Sequence, residues 1–225
     1  MEKKYKVKEI KSGWQDSNVA NTYDAKRFSS ISGRLSDWLD KRAIKKTTAS
    51  LPKTVKILDM PCGTGRISHC LLSLGYNRVT CADISEDMIK VATSLLKPFP
   101  HVAFYKIDAE KTPFENASFN AIVSIRFMGH VPKDVRIKIL KEMGRICSGR
   151  IIVEYPVTNP FARFVKKVFK KFTVEKKLPS QWTWHYLSMA EAKQEVAEAG
   201  LVTKKIVRKL SYISESAYFS ISNVS

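Results

Sequence analysis

At 225 residues the chain is long enough for a single well-buried core, and its 44% hydrophobic and 27% charged content is that of an ordinary folded domain. No stretch approaches the ~18 uninterrupted apolar residues of a membrane span. The basic start, Met1 to Trp14, has no apolar run of the kind a secretory signal needs, so the cytoplasm is the default compartment. A net charge of +18 favours anionic partners, whether nucleic acid, an anionic membrane surface or a phosphorylated substrate, and is silent about fold.

The four cysteines, Cys62, Cys70, Cys81 and Cys147, form no CxxC pair, and no histidine stands at zinc-ligand spacing. Neither a disulfide framework nor a metal site is expected.

In chain order, residues 1–50 read as a polar helical lid, with Trp38, Leu39, Arg42 and Ala43 giving a partial helical stripe. Residues 51–225 read as the main domain. Pro52 precedes an apolar run, Val55–Asp59, the first strand. Ile67, Cys70, Leu71 and Leu74 follow at helical spacing, and Gly75 closes that helix. Arg78–Ile84 is a second strand; Ser85 caps the next helix, which Pro98 and Pro100 end. Val102–Asp108 and Phe119–Ile125 are strands three and four. A helix carries Val135, Ile139, Leu140, Met143 and Ile146. Strand five, Arg150–Tyr155, ends at Pro156.

There the βα rhythm breaks. Residues 157–186 form a basic, amphipathic helical insertion in which Phe161, Phe164 and Phe169 alternate with Lys166, Lys167, Lys170 and Lys171. Trp182, Trp184, His185 and Tyr186 follow and are candidates to line a pocket. A helix over 187–199 is closed by Gly200. Two β-like runs, Thr203–Leu210 and Ala217–Ser222, finish the chain. Alternating strands and helices with a β-rich ending predict an α/β, Rossmann-like, doubly wound sheet. It should have about seven mostly parallel strands and a final antiparallel one. Ligands of such sheets sit at the carboxyl ends of the strands, at the switch point.

The strongest chemical signal is Ile57-Leu58-Asp59-Met60-Pro61-Cys62-Gly63-Thr64-Gly65-Arg66, between strand one and its helix. Gly63 and Gly65 allow a sharp turn and close approach to a ligand. Asp83 ends the next strand about 20 residues on, where a carboxylate can accept from two ribose hydroxyls. A P-loop is excluded because GxxxxGK[ST] is absent. A dinucleotide fingerprint fits poorly: Ser68 holds the third glycine position, and Asp59 would face phosphates. Asp59 suits a cationic amino group instead.

This run resembles motif I of class I S-adenosylmethionine-dependent methyltransferases, with Pro61 in place of the first glycine. Other segments are similar to the small-molecule (type 11/25) branch. They are Asp108-Ala109-Glu110 after strand three, Thr112-Pro113-Phe114 leading to Ser118-Phe119-Asn120, and Arg126-Phe127-Met128-Gly129-His130 after strand four. Tyr23-Asp24-Ala25-Lys26-Arg27-Phe28 resembles that branch's N-terminal lid. Asn120 departs from the usual Asp. The resemblance implies S-adenosylmethionine as cofactor. It implies that Asp59 and the loop Pro61, Cys62, Gly63, Gly65 and Arg66 hold the methionine moiety, and that Asp83 holds the ribose. Ile84, Met88, Asp108 and Ala109 would surround adenine; Arg126, Tyr23 and Arg27 would complete the pocket.

Taken alone, Met88 is equally a core residue and Asp108 a strand-end cap. His130 is a candidate general base for a hydroxyl acceptor, with an unperturbed pKa of ~6.5, or else a helix-start residue bonded to backbone. Cys62 lies in the cofactor loop, not after strand four, so it is not a nucleophile. The insertion around 161–177 reads as packed helix, substrate lid, anionic-membrane contact or nucleic-acid surface. The Asn/Asp-Pro-Pro-Tyr motif of base-directed enzymes is absent, which disfavours nucleic acid. The expectation is methyl transfer to O or N of a small-molecule or lipid-like acceptor. An RNA- or protein-directed methyltransferase and a non-catalytic adenosylmethionine-binding protein are the alternatives.

Overall fold

The central apolar runs, Ile57–Asp59, Val79–Asp83 and Phe119–Ser124, form largely buried strands, as parallel strands covered by helices on both faces do. A computed structural model of the chain describes residues 20, 22, 24, 27–159, 184–209 and 215–224. The basic insertion at 161–177 and Tyr23 lie outside the described residues. The first described helix is α1 (Ile31–Thr48). Then come β1 (Ile57–Asp59), α2 (Arg66–Ser73), β2 (Val79–Asp83), α3 (Glu86–Leu95), β3 (Ala103–Lys106) and β4 (Phe119–Ser124). A 3-10 turn (Met128–His130) leads into α4 (Lys133–Ile146), β5 (Cys147–Pro156), α5 (Met189–Glu198), β6 (Leu201–Arg208) and β7 (Ser216–Asn223).

The seven strands make one sheet in the order β3-β2-β1-β4-β5-β7-β6. β1 pairs in parallel with both β2 and β4, while β7 runs antiparallel to β5 and β6. The chain thus builds outward from β1 on one side, returns, and builds outward from β4 on the other. The junction between β1 and β4 is the switch point, where a crevice opens at the strand ends.

Successive side chains of each strand face opposite layers. Leu58, Ile122, Ile151 and Val153 pack against Ile139, Leu140 and Met143 of α4 and Val196 of α5. Their neighbours Ile57, Val123 and Ile152 pack against Ala43 and Ile44 of α1 and Ile67 and Leu71 of α2. The expected strands are all present, with ends shifted by one to three residues. Ser85 caps α3 by accepting from the Met88 N–H at 3.3 Å. Ser188 and Glu191 form a reciprocal capping box on α5, fixing that helix's start. The stripe read in α1 is split: Leu39 and Ala43 are buried, whereas Trp38 and Arg42 face outward. Asn120, the departure from Asp, accepts from the Lys56 N–H at 2.9 Å and so joins β4 to the entry of β1.

α4 and α5 are locked by one buried ion pair. Arg136 donates to both oxygens of Glu195, at 2.8 and 2.6 Å, and to the Val131 carbonyl at 2.5 Å. Removing one partner of such a pair strands the other charge away from water. Glu195→Ala should therefore lower unfolding free energy by about 3–5 kcal/mol. The double change Arg136→Met with Glu195→Leu should recover most of that loss in chemical denaturation.

Candidate active site

β1 and β2 end side by side, and their ends hold the glycine loop. The Cys62 N–H donates to the Ala82 carbonyl at 2.8 Å. The Gly63 N–H donates to Asp83 Oδ2 at 2.8 Å, and the Ser85 N–H to Asp83 Oδ1 at 2.9 Å. Asp83 is thus held by backbone N–H groups on both of its oxygens, and Ile84 adds to them. Burial raises its pKa, and the bonds from Ser85 and Gly63 oppose that shift. Gly65 sits at φ 83° just before α2. A Cβ there would lie 3.0 Å from Ala92 Cβ and 3.1 Å from Ala92 Cα, so both the turn and the close approach of α2 to α3 require glycine.

Asp59 is buried behind the loop. Its Oδ2 accepts from the Ser68 hydroxyl at 2.5 Å, so Ser68 at the third glycine position serves as the carboxylate's partner. Burial lifts the Asp59 pKa to about 7, against the Ser68 hydrogen bond and the charge of Arg66. The Cys62 thiol is pushed well above its ordinary value by its contact with Cys81 and by burial, which keeps it protonated and unreactive.

Beyond β4, Arg126 adopts φ 59°, a left-handed conformation costly for a side chain with a Cβ. Its N–H donates to buried Glu154 at 2.8 Å, which holds the turn. The segment then presents Phe127 and His130. His130 is buried, and its ring centroid lies 4.5 Å from that of Trp184. A Cβ on Gly129 would fall 2.6 Å from the Trp184 ring, so the pairing depends on that glycine. The Arg27 guanidinium lies 5.2 Å from the centroid of the Trp184 ring. The expected titration of His130 near 6.5 is corrected by this setting. Burial, then the charges of Arg27 and Arg126 and the ring of His185, lower its pKa to about 3.

These groups line a cavity of about 100 Å³ that opens to solvent at the ends of β1, β2 and β4. Pro61, Cys62, Gly63 and Arg66 form its loop wall; Asp83, Ile84 and Met88 its β2 wall; Arg126 and His130 its β4 wall. The sequence reading missed Thr64, Ile67, Ile125 and Phe127, which also line it. Asp59 and Gly65 stand behind the wall. Asp108 turns back to accept from the Glu110 N–H at 3.0 Å, and neither it nor Ala109 lines the cavity. Among the described residues no cluster of His, Cys, Asp or Glu could hold a metal ion.

Asp40 of α1 is the largest feature that sequence reading missed. Fully buried, it meets Arg126 Nε at 2.8 Å, Arg66 at 3.3 Å, Lys209 at 2.5 Å and the Tyr218 hydroxyl at 2.6 Å. Arg66 also pairs with Asp37 at 2.5 Å. Burial alone would raise the Asp40 pKa, but Arg126, Lys209 and Arg66 outweigh it and hold it at about 2. Thr64 in turn donates to Asp24 at 3.1 Å, so the N-terminal segment and α1 both grip the loop.

Residues 57–149 match the family described as "Methyltransferase domain". That stretch is a methyltransferase domain, and the fold around it is shared with S-adenosylmethionine-dependent methyltransferases of known structure. Demethylmenaquinone methyltransferase of Staphylococcus aureus is 27% identical over 172 residues, covering 68% of this chain and 70% of that protein. Among solved structures, the CcbJ methyltransferase of Streptomyces caelestis matches with a TM-score of 0.70 at 15% identity, over 94% of this chain and 98% of that one. Magnesium protoporphyrin IX methyltransferase of Synechocystis, solved with SAH bound, matches at 0.68 and 14% identity, over 92% and 98%.

Asp40→Ala in this methyltransferase domain should cost about 3–5 kcal/mol, because it strands buried cations. The pH response has a definite sign. With the folded pKa depressed, Asp40 stabilises fully above the unfolded value of ~3.9, and that stabilisation fades as pH falls toward about 2. Acid melts of Asp40→Asn should show a shallower decline than wild type over that window.

Proposed function

We propose that the chain transfers a methyl group from S-adenosylmethionine to an oxygen or nitrogen of a small, apolar or lipid-like acceptor. The observation that carries this reading is the shape of one cavity. Its β2 side offers the buried carboxylate of Asp83, and its β4 side offers His130 beside Phe127, with Trp184 packed on the imidazole.

The residues fit the cofactor. Asp83 suits the ribose hydroxyls, and Ile84 and Met88 suit the adenine face. The Gly63 turn leaves open space where a Cβ would stand, which suits backbone contact with the methionine moiety. When bound, the cofactor supplies an electrophilic methyl group on a sulfonium. Asp59, with its pKa near 7, is poised to ionise fully beside an ammonium group. Arg126 and Arg27 we place at the border between cofactor and acceptor, and Asp108 and Ala109 just beyond the adenine.

His130 works as a neutral imidazole. With a pKa of about 3 it accepts a hydrogen bond from an acceptor O–H or N–H throughout the neutral range. Such an imidazole is too weak to remove a hydroxyl proton in advance. It is basic enough to take the proton of a methylated oxygen, which is a strong acid as an oxonium, whereas a methylated nitrogen would keep its proton until it meets solvent. Alignment and exclusion of water then supply most of the acceleration. The aromatic wall favours an apolar ring or chain in the acceptor. The names of the relatives, a demethylmenaquinone and a magnesium protoporphyrin methyltransferase, point the same way.

Transfer of tritiated methyl groups into fractionated small-molecule, lipid, RNA and protein pools tests the reading. Label confined to the small-molecule or lipid pools is expected, and label confined to RNA or protein would refute it. Asp83→Ala should weaken S-adenosylmethionine binding by about 1.5–3 kcal/mol in calorimetry, and unchanged affinity in a folded variant would remove Asp83 from the site. His130→Asn should lower turnover by roughly 10²-fold with cofactor affinity within a few-fold. The wild-type pH–rate profile should carry no acidic limb near pH 6.5 from this residue.

A further inference from the structure

α1 is amphipathic in an unusual sense. At ~100° per residue, its inward face carries Leu39, Asp40, Ala43, Ile44 and Thr47, all buried. The opposite arc, roughly 120° wide by the same spacing, carries Ile31, Leu35 and Trp38. Their exposures are 81%, 53% and 54%. Interspersed on that arc are Arg34, Arg42, Lys45 and Lys46, all exposed. Both carboxylates of the helix, Asp37 and Asp40, lie off it and pair with Arg66. The helix therefore shows solvent three large apolar side chains and four cations with no acid among them.

The arc does not end at the helix. Lys46 borders a shallow cleft shared with Lys205 and Arg208 of β6, so the cationic strip continues onto the sheet edge. The guanidinium of Arg42 lies 5.5 Å from the Trp38 ring centroid, an arrangement in which an aromatic body and a charged head sit side by side. The Asp40 cluster fixes the rotation of α1 about its axis, so this arc is presented rigidly.

We infer that the outer face of α1, extended by the Lys46–Lys205–Arg208 cleft, docks the protein on an anionic lipid bilayer. Apolar side chains flanked by cations on one helical face match the boundary between acyl chains and negative headgroups. A second copy of the chain is a poor occupant, because self-pairing would set this strip of cations against its own image. Nucleic acid matches the charge and gives Ile31 and Leu35 nothing to pack against. The inference is independent of the acceptor proposed above, since it concerns where the protein sits and not what it methylates.

The test is co-sedimentation of the full chain with phosphatidylcholine vesicles, and with vesicles containing roughly a third phosphatidylglycerol. Binding is expected to the anionic vesicles in low salt and to fall steeply by about 0.5 M salt, as screening predicts. The triple change Ile31→Ser, Leu35→Ser, Trp38→Ser should reduce partitioning at least tenfold. So should replacement of Arg34, Arg42, Lys45 and Lys46 by Gln. Both variants should melt as wild type does, because the altered side chains are exposed. On adding anionic vesicles, the wild-type minus Trp38→Phe emission difference should shift to the blue. Three results would overturn the inference. One is no binding in low salt. A second is a triple variant that binds as wild type while Gln at Lys166, Lys167, Lys170 and Lys171 abolishes binding. The third is loss of RNA binding or of dimerisation in the α1 variants with vesicle partitioning unchanged.

Discussion

A buried carboxylate surrounded by three cations organises the site. Asp40 reaches Arg66 at the start of α2, Arg126 at the end of β4 and Lys209 at the end of β6. The first two line the cavity, so the loop wall and the β4 wall share one anchor. A lone charge in that position would be expelled or neutralised. Here the neighbouring charges make ionisation favourable, and the carboxylate in turn dictates where two flexible arginines point. Phe28 adds a flat support, with Arg66 and Arg126 at 4.7 and 5.4 Å from its ring centroid.

The protein contains a second buried ionic contact, and the contrast is informative. Arg136 and Glu195 satisfy one another in a forked pair and do not line the cavity. That pair fastens two helices and offers no bonding capacity to a ligand. The Asp40 cluster is larger, joins five elements, and includes two arginines that line the cavity. Buried charge thus serves helix packing in one case and the orientation of cavity side chains in the other.

Much of the architecture is legible in the sequence because strand and helix periods are local. The glycine loop and Asp83 are legible for the same reason: a turn and a strand end are properties of a few adjacent residues. What the sequence conceals is long-range pairing. Nothing in the α1 stripe says that Asp40 will meet Tyr218, 178 positions away, or that Trp184 will settle against His130. The misjudged titration of His130 has the same origin, since its shift arises from burial and from Arg27, Arg126 and His185. Asp59 shows the same limit: its partner within the fold is the Ser68 hydroxyl, and the sequence presents Ser68 only as a missing glycine.

The antiparallel placement of β7 between β5 and β6 has a kinetic consequence. Lys209 and Tyr218 flank that terminal hairpin, so the Asp40 cluster cannot close until the last strands are in the sheet. Loop closure over such separations is slow relative to local helix formation. During folding, α1 and the glycine loop can form early, yet the cluster that orients Arg66 and Arg126 is complete only once Lys209 and Tyr218 have docked on Asp40. Assembly of the cavity is thereby tied to docking of the β6–β7 hairpin, even though no residue of β7 lines it.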